Sequence, residues 1–397
     1  MSRLADRQAG QLNVEPIRFQ RPQLPAGDDI ERYFAAAREI RWFSNRGPCH
    51  RLLTERLTGF LDADLHVVLM ANATLGLMLA LRTLLGDNRR GRLVITPSFT
   101  FPATAQAIMW SGLEPLWVDV EPSGWHLDPQ ELSSALSAHR GNVAAVLACS
   151  TFGTAPSVEH SAAWREACEE AEVPLIVDSA PGFGSRDERG DLLGSQGDAE
   201  IFSFHATKPF AIGEGGMVTT HNPIFAKRLA AMANFGFGPD REISSHFGLN
   251  AKMSEMHAAI GLAALDDFEQ VLTSRRDLAE RMRSDLDHSG YSFQAGCQSS
   301  TWQFVPVMAP SADVRDAVLT RSRTQQIEIR NYHSPLHRMS VFASHLAHGD
   351  LPVTEDLVCR SLSLPLANDL AESAIQRIVA LLGDCSSSPV EMQKDRA

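Results

Sequence analysis

The sequence predicts an α/β protein: a large domain built on a mostly parallel sheet of seven strands with helices on both faces, then a smaller α+β domain. Three observations carry this. At 397 residues the chain exceeds one ordinary domain and falls short of three. Short runs that are apolar almost throughout alternate with stretches long enough for a crossover helix, which is how parallel strands covered on both faces read. From about residue 290 that alternation gives way to short strands mixed with helices.

The elements follow in order. Residues 1–30 are polar, hold Pro16, Pro22 and Pro25, and read as an arm crossing the surface. The large domain is expected over 31–265, opening with two helical patterns that flank the turn SNRGP at 44–48. HVVLM at 66–70 is the first strand and a helix follows from Thr74. RLVITP, LEPLWVDV, VAAVLACS and VPLIVDSA repeat the motif, and AEIFSFHATKP with GGMVTT come close together as adjacent strands would. Helical spacing over 222–233 and again over 254–278 leads into the small domain, expected over 266–385. There STWQFVPVMA is a strand, and 311–323 and 370–382 are helices. The end, 386–397, is expected to be disordered.

Composition narrows the function. With 44% hydrophobic and 21% charged residues the chain is that of a soluble globular protein. A formal charge of -12 offers no footprint for nucleic acid or an anionic membrane. Neither a signal peptide nor a long apolar span is present, which places the protein in the cytoplasm. Six scattered cysteines without CxxC spacing indicate reduced thiols rather than a zinc site or disulfide framework.

Only four of the 36 basic residues are lysines: Lys208, Lys227, Lys252 and Lys394. Lys208 sits in FSFHATKPF, just past an aromatic strand and before GEGGMVTT. A desolvated lysine has a depressed pKa and can condense with a carbonyl, although a strand-end lysine with its ammonium in water fits the same motif. Asp178 ends the apolar strand PLIVD, at the rim where parallel sheets bind ligands. It could pair with a protonated pyridine nitrogen or simply cap a helix. Residues 71–74 open a helix whose free N–H groups suit a phosphate, and Asn72 or Thr74 also reads as an ordinary cap. Phe101, just after a strand, could stack on a flat ring or belong to the core.

Together these motifs carry a resemblance. NAT at 72–74, PSFTF with the following ATA, WVDVEP, IVDSA, FSFHATK, EGG, NFG and GLNAKMSEMHAAIGL resemble the DegT/DnrJ/StrS family of sugar aminotransferases, over about residues 38–335. With RNYHSPLHRM at 330–339, the most similar branch is that of nucleotide-sugar 4-aminotransferases. The resemblance implies the aspartate-aminotransferase-like fold (fold type I), pyridoxal 5′-phosphate (PLP) as cofactor, and a homodimer with a shared active site. It makes Lys208 the lysine that carries the cofactor and Asp178 the partner of its pyridine nitrogen. Ala73, Thr74 and Ser203 would contact the phosphate, Phe101 would stack on the ring, and Asn250 would reach the phosphate of the neighbouring subunit. Arg330, Tyr332 and His337 fall where a nucleotide sugar would approach, and Arg46 in the SNRGP turn is a further candidate for that anionic substrate. An amino acid, L-glutamate by resemblance, would be the amino donor.

Two positions depart from the family. Where relatives carry His or Gln three residues after the strand Asp, Pro181 stands and has no N–H to give. Pro209 replaces the Asn common after the lysine. Two alternatives therefore stay open: a sugar dehydratase of the same family, in which histidine replaces the lysine, and a catalytically silent cofactor-binding or regulatory protein.

Overall fold

The computed structural model describes residues 15–86, 91–238, 240, 242–243 and 247–387. Seven strands form one sheet: β1 (His66–Met70), β2 (Leu93–Pro97), β3 (Glu114–Val118), β4 (Val143–Cys149), β5 (Leu175–Asp178), β6 (Ala199–Ser203) and β7 (Gly216–Thr220). Their spatial order is β1-β7-β6-β5-β4-β2-β3. From β3 to β6 neighbours pair in parallel, whereas β7 runs antiparallel between β6 and β1. The connection from Ser203 to Gly216 is too short for a crossover helix, so β7 must return beside β6.

The near-continuous apolar strands are buried on both faces, as such runs require. Val68, Met70, Leu147, Ile201 and Val218 face a core shared with α3 (Ala73–Leu85), α4 (Pro102–Trp110) and α7 (Pro223–Met232). Val67, Leu69, Phe202 and Met217 face α1 (Gly27–Glu39), α2 (Pro48–Leu61) and α8 (Glu255–Asp266). Ile95, Val146 and Val177, on that same side of the sheet, meet α5 (Pro129–Ala138) and α6 (Val158–Glu170). Helix starts carry the caps that the sequence offers: the side chains of Asn72, Asp128, Ser157, Asn222 and Ser254 accept from first-turn N–H groups.

The stretch expected as one helix from 254 divides at Asp267 into α8 and α9 (Phe268–Asp285). The break turns Phe268 inward, where it stacks on Phe183 at 5.1 Å and meets Phe210 edge-on at 5.0 Å. Beyond it, β8 (Ser292–Phe293), β9 (Val305–Met308) and β10 (Ser361–Leu364) form an antiparallel sheet in the order β10-β9-β8. Val305, Val307, Leu362 and Leu364 pack there against α9, α10 (Ala312–Thr324) and α12 (Glu372–Ser387), while α11 (Pro352–Arg360) precedes β10.

From residue 15 to 26 the arm runs along the surface, anchored by two side chains. Ile17 bridges to Ile327 and is buried in this second core, and Phe19 is buried 5.4 Å from the ring of Phe304. Burial of these two apolar side chains pins an otherwise exposed stretch to the surface. Residues 1–14, and 388–397 of the expected tail, lie outside the described residues. The six cysteines are free. Among the described residues no helix is long and apolar enough to cross a membrane.

Candidate active site

Three strands bring the sequence candidates to one rim. Gly216 lies opposite both Met70 of β1 and Ser203 of β6, so the chain leaving β1, the start of β7 and the end of β6 are level. A Cβ at Gly216 would stand 2.8 Å from the Ala73 nitrogen and 2.7 Å from the Phe202 carbonyl oxygen, so a glycine is required for α3 to begin there. Asn72 Oδ1 accepts from the Leu75 N–H at 2.9 Å. The amides of Ala73 and Thr74 have no acceptor among the described residues. They form a helix N-terminus open to an anion, with Ser203 on the same face of the sheet.

Asp178, at the end of β5, is buried. Its Oδ2 accepts from the Thr104 hydroxyl at 2.7 Å and its Oδ1 from the Ala180 N–H at 3.1 Å. Among the described residues no basic side chain lies within ion-pair distance of it. Burial pushes its pKa up, while the Thr104 and Ala180 donors and the charge of Lys208 pull it back. A buried carboxylate without its cation is what a protonated pyridine nitrogen would complete.

Lys208 stands in the turn after β6, its N–H bonded to the His205 carbonyl at 2.9 Å. Its ammonium reaches Gln303 Oε1 at 3.0 Å. Burial lowers its pKa to about 8 against the opposing pull of Asp178, so the neutral amine is accessible near physiological pH. Lys227 is exposed and Lys252 is bonded to Asn250 Oδ1 at 2.7 Å. Phe101, at the N-cap of α4, is 60% exposed, and its nearest ring is that of His333, 6.5 Å away. A ring so exposed at the mouth of a polar site is placed to cover a flat heterocycle. The free helix N-terminus, the unpaired carboxylate, the lysine and the bare aromatic ring fit PLP group by group.

The remaining candidates divide. Arg330 bridges to Ser363 and lies over the ring of Phe19 at 5.8 Å, and Tyr332 meets Phe19 at 5.6 Å. His337 is committed at both ring nitrogens, to Ser98 Oγ at 2.7 Å and to Glu355 Oε1 at 2.8 Å, so it fixes its own loop. Arg46 donates to the Ala230 carbonyl at 2.8 Å and lowers the pKa of Lys252, whose main cause of depression is burial. Asn250 is exposed and bonded to Lys252, although the Ala71 N–H donates to the neighbouring Ala251 carbonyl at 2.7 Å. Arg46 and Asn250 thus both neighbour Lys252.

Sequence reasoning missed Thr104, Gln303, Thr301 and His333. A lone hydroxyl in the apolar helix PATAQAIMW was a readable signal for Thr104. Gln303 arrives from the small sheet's side, 95 positions from Lys208, and carries no local signal. At Pro181 the carbonyl accepts from the Thr301 hydroxyl at 2.6 Å, while Pro209 leads into the buried Phe210.

A mixed seven-stranded sheet that carries this lysine and carboxylate at one rim is the architecture of a PLP-dependent aminotransferase of fold type I. The chain belongs to the DegT/DnrJ/EryC1/StrS aminotransferase family, whose model matches residues 26–383. It is 36% identical to the Mycobacterium tuberculosis protein Rv3402c over 94% of this chain and 90% of that one. It is 27% identical to the dTDP-4-amino-4,6-dideoxy-D-glucose transaminase of Shigella dysenteriae, over 93% and 98%. A PLP-dependent aminotransferase structure from Bacillus cereus superposes with a TM-score of 0.87 at 33% identity, covering 93% of this chain and all (100%) of that one. DesI, solved in the presence of its TDP-sugar product, gives 0.84 at 33% identity, covering 94% and 93%.

Proposed function

We propose that the protein transfers an amino group from L-glutamate to C4 of a keto-deoxysugar linked to a nucleoside diphosphate, with PLP attached to Lys208. The observation that carries the reading is the pairing at one rim of a lysine with lowered pKa and a buried carboxylate that lacks a cation. The nucleotide sugar and the position of amination are supported by likeness to the Shigella transaminase and to DesI with its TDP-sugar product.

When bound, PLP supplies an electron sink for the carbanion that a proton shift requires. Asp178, whose carboxylate form is favoured by the Thr104 and Ala180 donors against the opposing effect of burial, would pair with the pyridine nitrogen and keep it protonated. Ala73, Thr74 and Ser203 hold the phosphate by N–H and hydroxyl donors. Phe101 covers the ring and excludes water from that face. Lys208 would carry the cofactor and, as a neutral amine, would accept and return the proton at its Nζ. Arg330 and Tyr332 stand on the approach of the sugar nucleotide, and His337 holds their loop against Ser98 and Glu355.

The homodimer reading rests on an exposed apolar surface. Trp42, Phe43, Phe235, Phe237, Leu249 and Met256 are all exposed, and the Glu255 N–H bonded to the Phe43 carbonyl at 3.1 Å joins two of their segments. Arg46 and Asn250 lie within this surface, so a second copy docked there would receive them at its own site. The dehydratase alternative is disfavoured by Lys208, since the neighbouring His205 is tied to the Thr207 hydroxyl at 2.8 Å.

Purified protein incubated with PLP, L-glutamate and dTDP-4-keto-6-deoxyglucose should yield the 4-amino sugar and 2-oxoglutarate in equal amounts. Bound cofactor that is never cycled by any of a panel of nucleotide keto sugars would overturn the reading in favour of a silent protein.

A further inference from the structure

The imidazole of His333 is caged by aromatic rings and receives no hydrogen bond from any of the described residues. Phe152 stacks on it at 4.8 Å and 10°, and Phe99 and Phe101 present edges at 5.6 and 6.5 Å. The cage draws on three separate loops, those following β2 and β4 and the segment entering from β10's side. Phe152 holds its place in the left-handed region, at φ 57°, a conformation that costs a non-glycine residue and persists where the surroundings enforce it.

Burial, and then the charge of Lys208, lower the imidazole pKa to about 3. At neutral pH the ring therefore offers one N–H donor and one acceptor nitrogen. His333 is half-buried, so its ring nitrogens keep their hydrogen-bonding capacity for a group that enters the site. Phe152, stacked on His333, meets Phe304 at 5.4 Å, and the adjoining Gln303 accepts from the Lys208 ammonium at 3.0 Å, so the cage and the lysine are linked through residues 303–304, and the lysine's charge is felt at the ring. A ligand that reaches His333 would thus lie against the same wall of side chains that holds Lys208.

We propose that His333 is a specificity-determining residue: caged between Phe101 and Phe152 beside Lys208, it hydrogen-bonds the sugar hydroxyl adjacent to the reacting carbon. The inference rests on the nucleotide-sugar reading above and deepens it. A site that bonds a hydroxyl rejects the analogue lacking it, because its own polar atoms are then left unpaired. A phenylalanine at 333 would fill the cage equally well but read no hydroxyl.

The test is calorimetric titration of the PLP-loaded protein with dTDP-4-amino-4,6-dideoxyglucose, its 3-deoxy analogue, and dTDP alone. His333→Phe should weaken the amino sugar at least tenfold while binding of the analogue, of dTDP and of PLP itself stays within twofold. His333→Gln, which keeps a donor and an acceptor, should recover part of the loss. Equal affinity of wild type and His333→Phe for the amino sugar would overturn the assignment. Equal losses for all three ligands would also overturn it, by making the role one of packing. If wild type binds the amino sugar no more tightly than dTDP, the substrate reading itself falls and this inference with it.

Discussion

The hydroxyl of Thr104 donates to Oδ2 of Asp178 over 2.7 Å, across 74 positions of sequence. Thr104 in turn lies 3.2 Å from the hydroxyl of Thr100, so a short chain of hydroxyls backs the carboxylate. With no basic side chain of the described residues within ion-pair distance, this bond and the Ala180 N–H are what favour the carboxylate form of Asp178 against the burial that raises its pKa. A charge-assisted hydrogen bond of that kind contributes about 1.5–3 kcal/mol.

Asp178→Asn should leave PLP bound and lower transamination by several powers of ten, since the pyridine nitrogen loses the charge that keeps it protonated. Thr104→Val should cost less, about 10- to 150-fold in kcat by the magnitude of one such bond, and Thr104→Ser should restore most of it. Steady-state rates alongside the cofactor absorbance check both. Wild-type kcat in Asp178→Asn would refute the pairing.

Borohydride reduction of the loaded protein should place the pyridoxyl label on Lys208 and on no other lysine. The depressed pKa sets the pH dependence of loading. Only the free amine attacks a carbonyl, and a pKa lowered to about 8 makes that form more abundant at every pH below the ordinary lysine value. At pH 7 about one molecule in ten carries it, against about one in 2,500 for an unperturbed lysine. The rate of PLP incorporation into apoprotein should therefore rise about tenfold per pH unit below 8 and level off above it. A mid-point near 10, read by stopped-flow absorbance, would contradict the burial described for Lys208.

A shared site predicts complementation. Homodimers of Asn250→Ala should bind PLP more weakly, and homodimers of Lys208→Ala should be inactive. Mixed dimers should regain activity, because one of the two sites combines an intact Lys208 with the other chain's intact Asn250. Inactive mixed dimers of folded subunits would place Asn250 in its own chain's site.

Pro181→His should tighten PLP binding. The proline carbonyl is already taken by Thr301, and the ring offers no donor toward the cofactor. One added neutral hydrogen bond is worth about 0.5–1.5 kcal/mol, or about 2- to 12-fold in dissociation constant. Equal constants for the two proteins would show that another donor, such as Gln303, already serves that oxygen.

The sheet was legible because each strand is apolar on both faces and each crossover is long enough for a helix. Lys208, Asp178 and the α3 start were legible because polar residues at strand ends stand out against such runs. What escaped detection depends on contacts between distant segments. Gln303 and His333 come from the other side of the fold, and no local period distinguishes them. His337, chosen as a substrate contact, proves to be bonded to Ser98 and Glu355, partners that lie 239 and 18 positions away. The anchoring of the arm by Ile17 and Phe19 was not legible, because hydrophobic periodicity needs more than two apolar residues to register.

β7 lies antiparallel between β6 and β1, and the loop that bears Lys208 is strung between the adjacent ends Ser203 and Gly216. That makes it a hairpin connection of fixed span, closed within the loop by Phe204 with Gly215 and by Ala206 with Gly213. Most surface loops absorb insertions at small entropic cost. Here one added or deleted residue would either break those rungs or slide β7 by a position, which would carry Gly216 away from the Ala73 nitrogen and set a side chain against it. For protein engineering, the 204–215 segment is accordingly a poor place to change loop length.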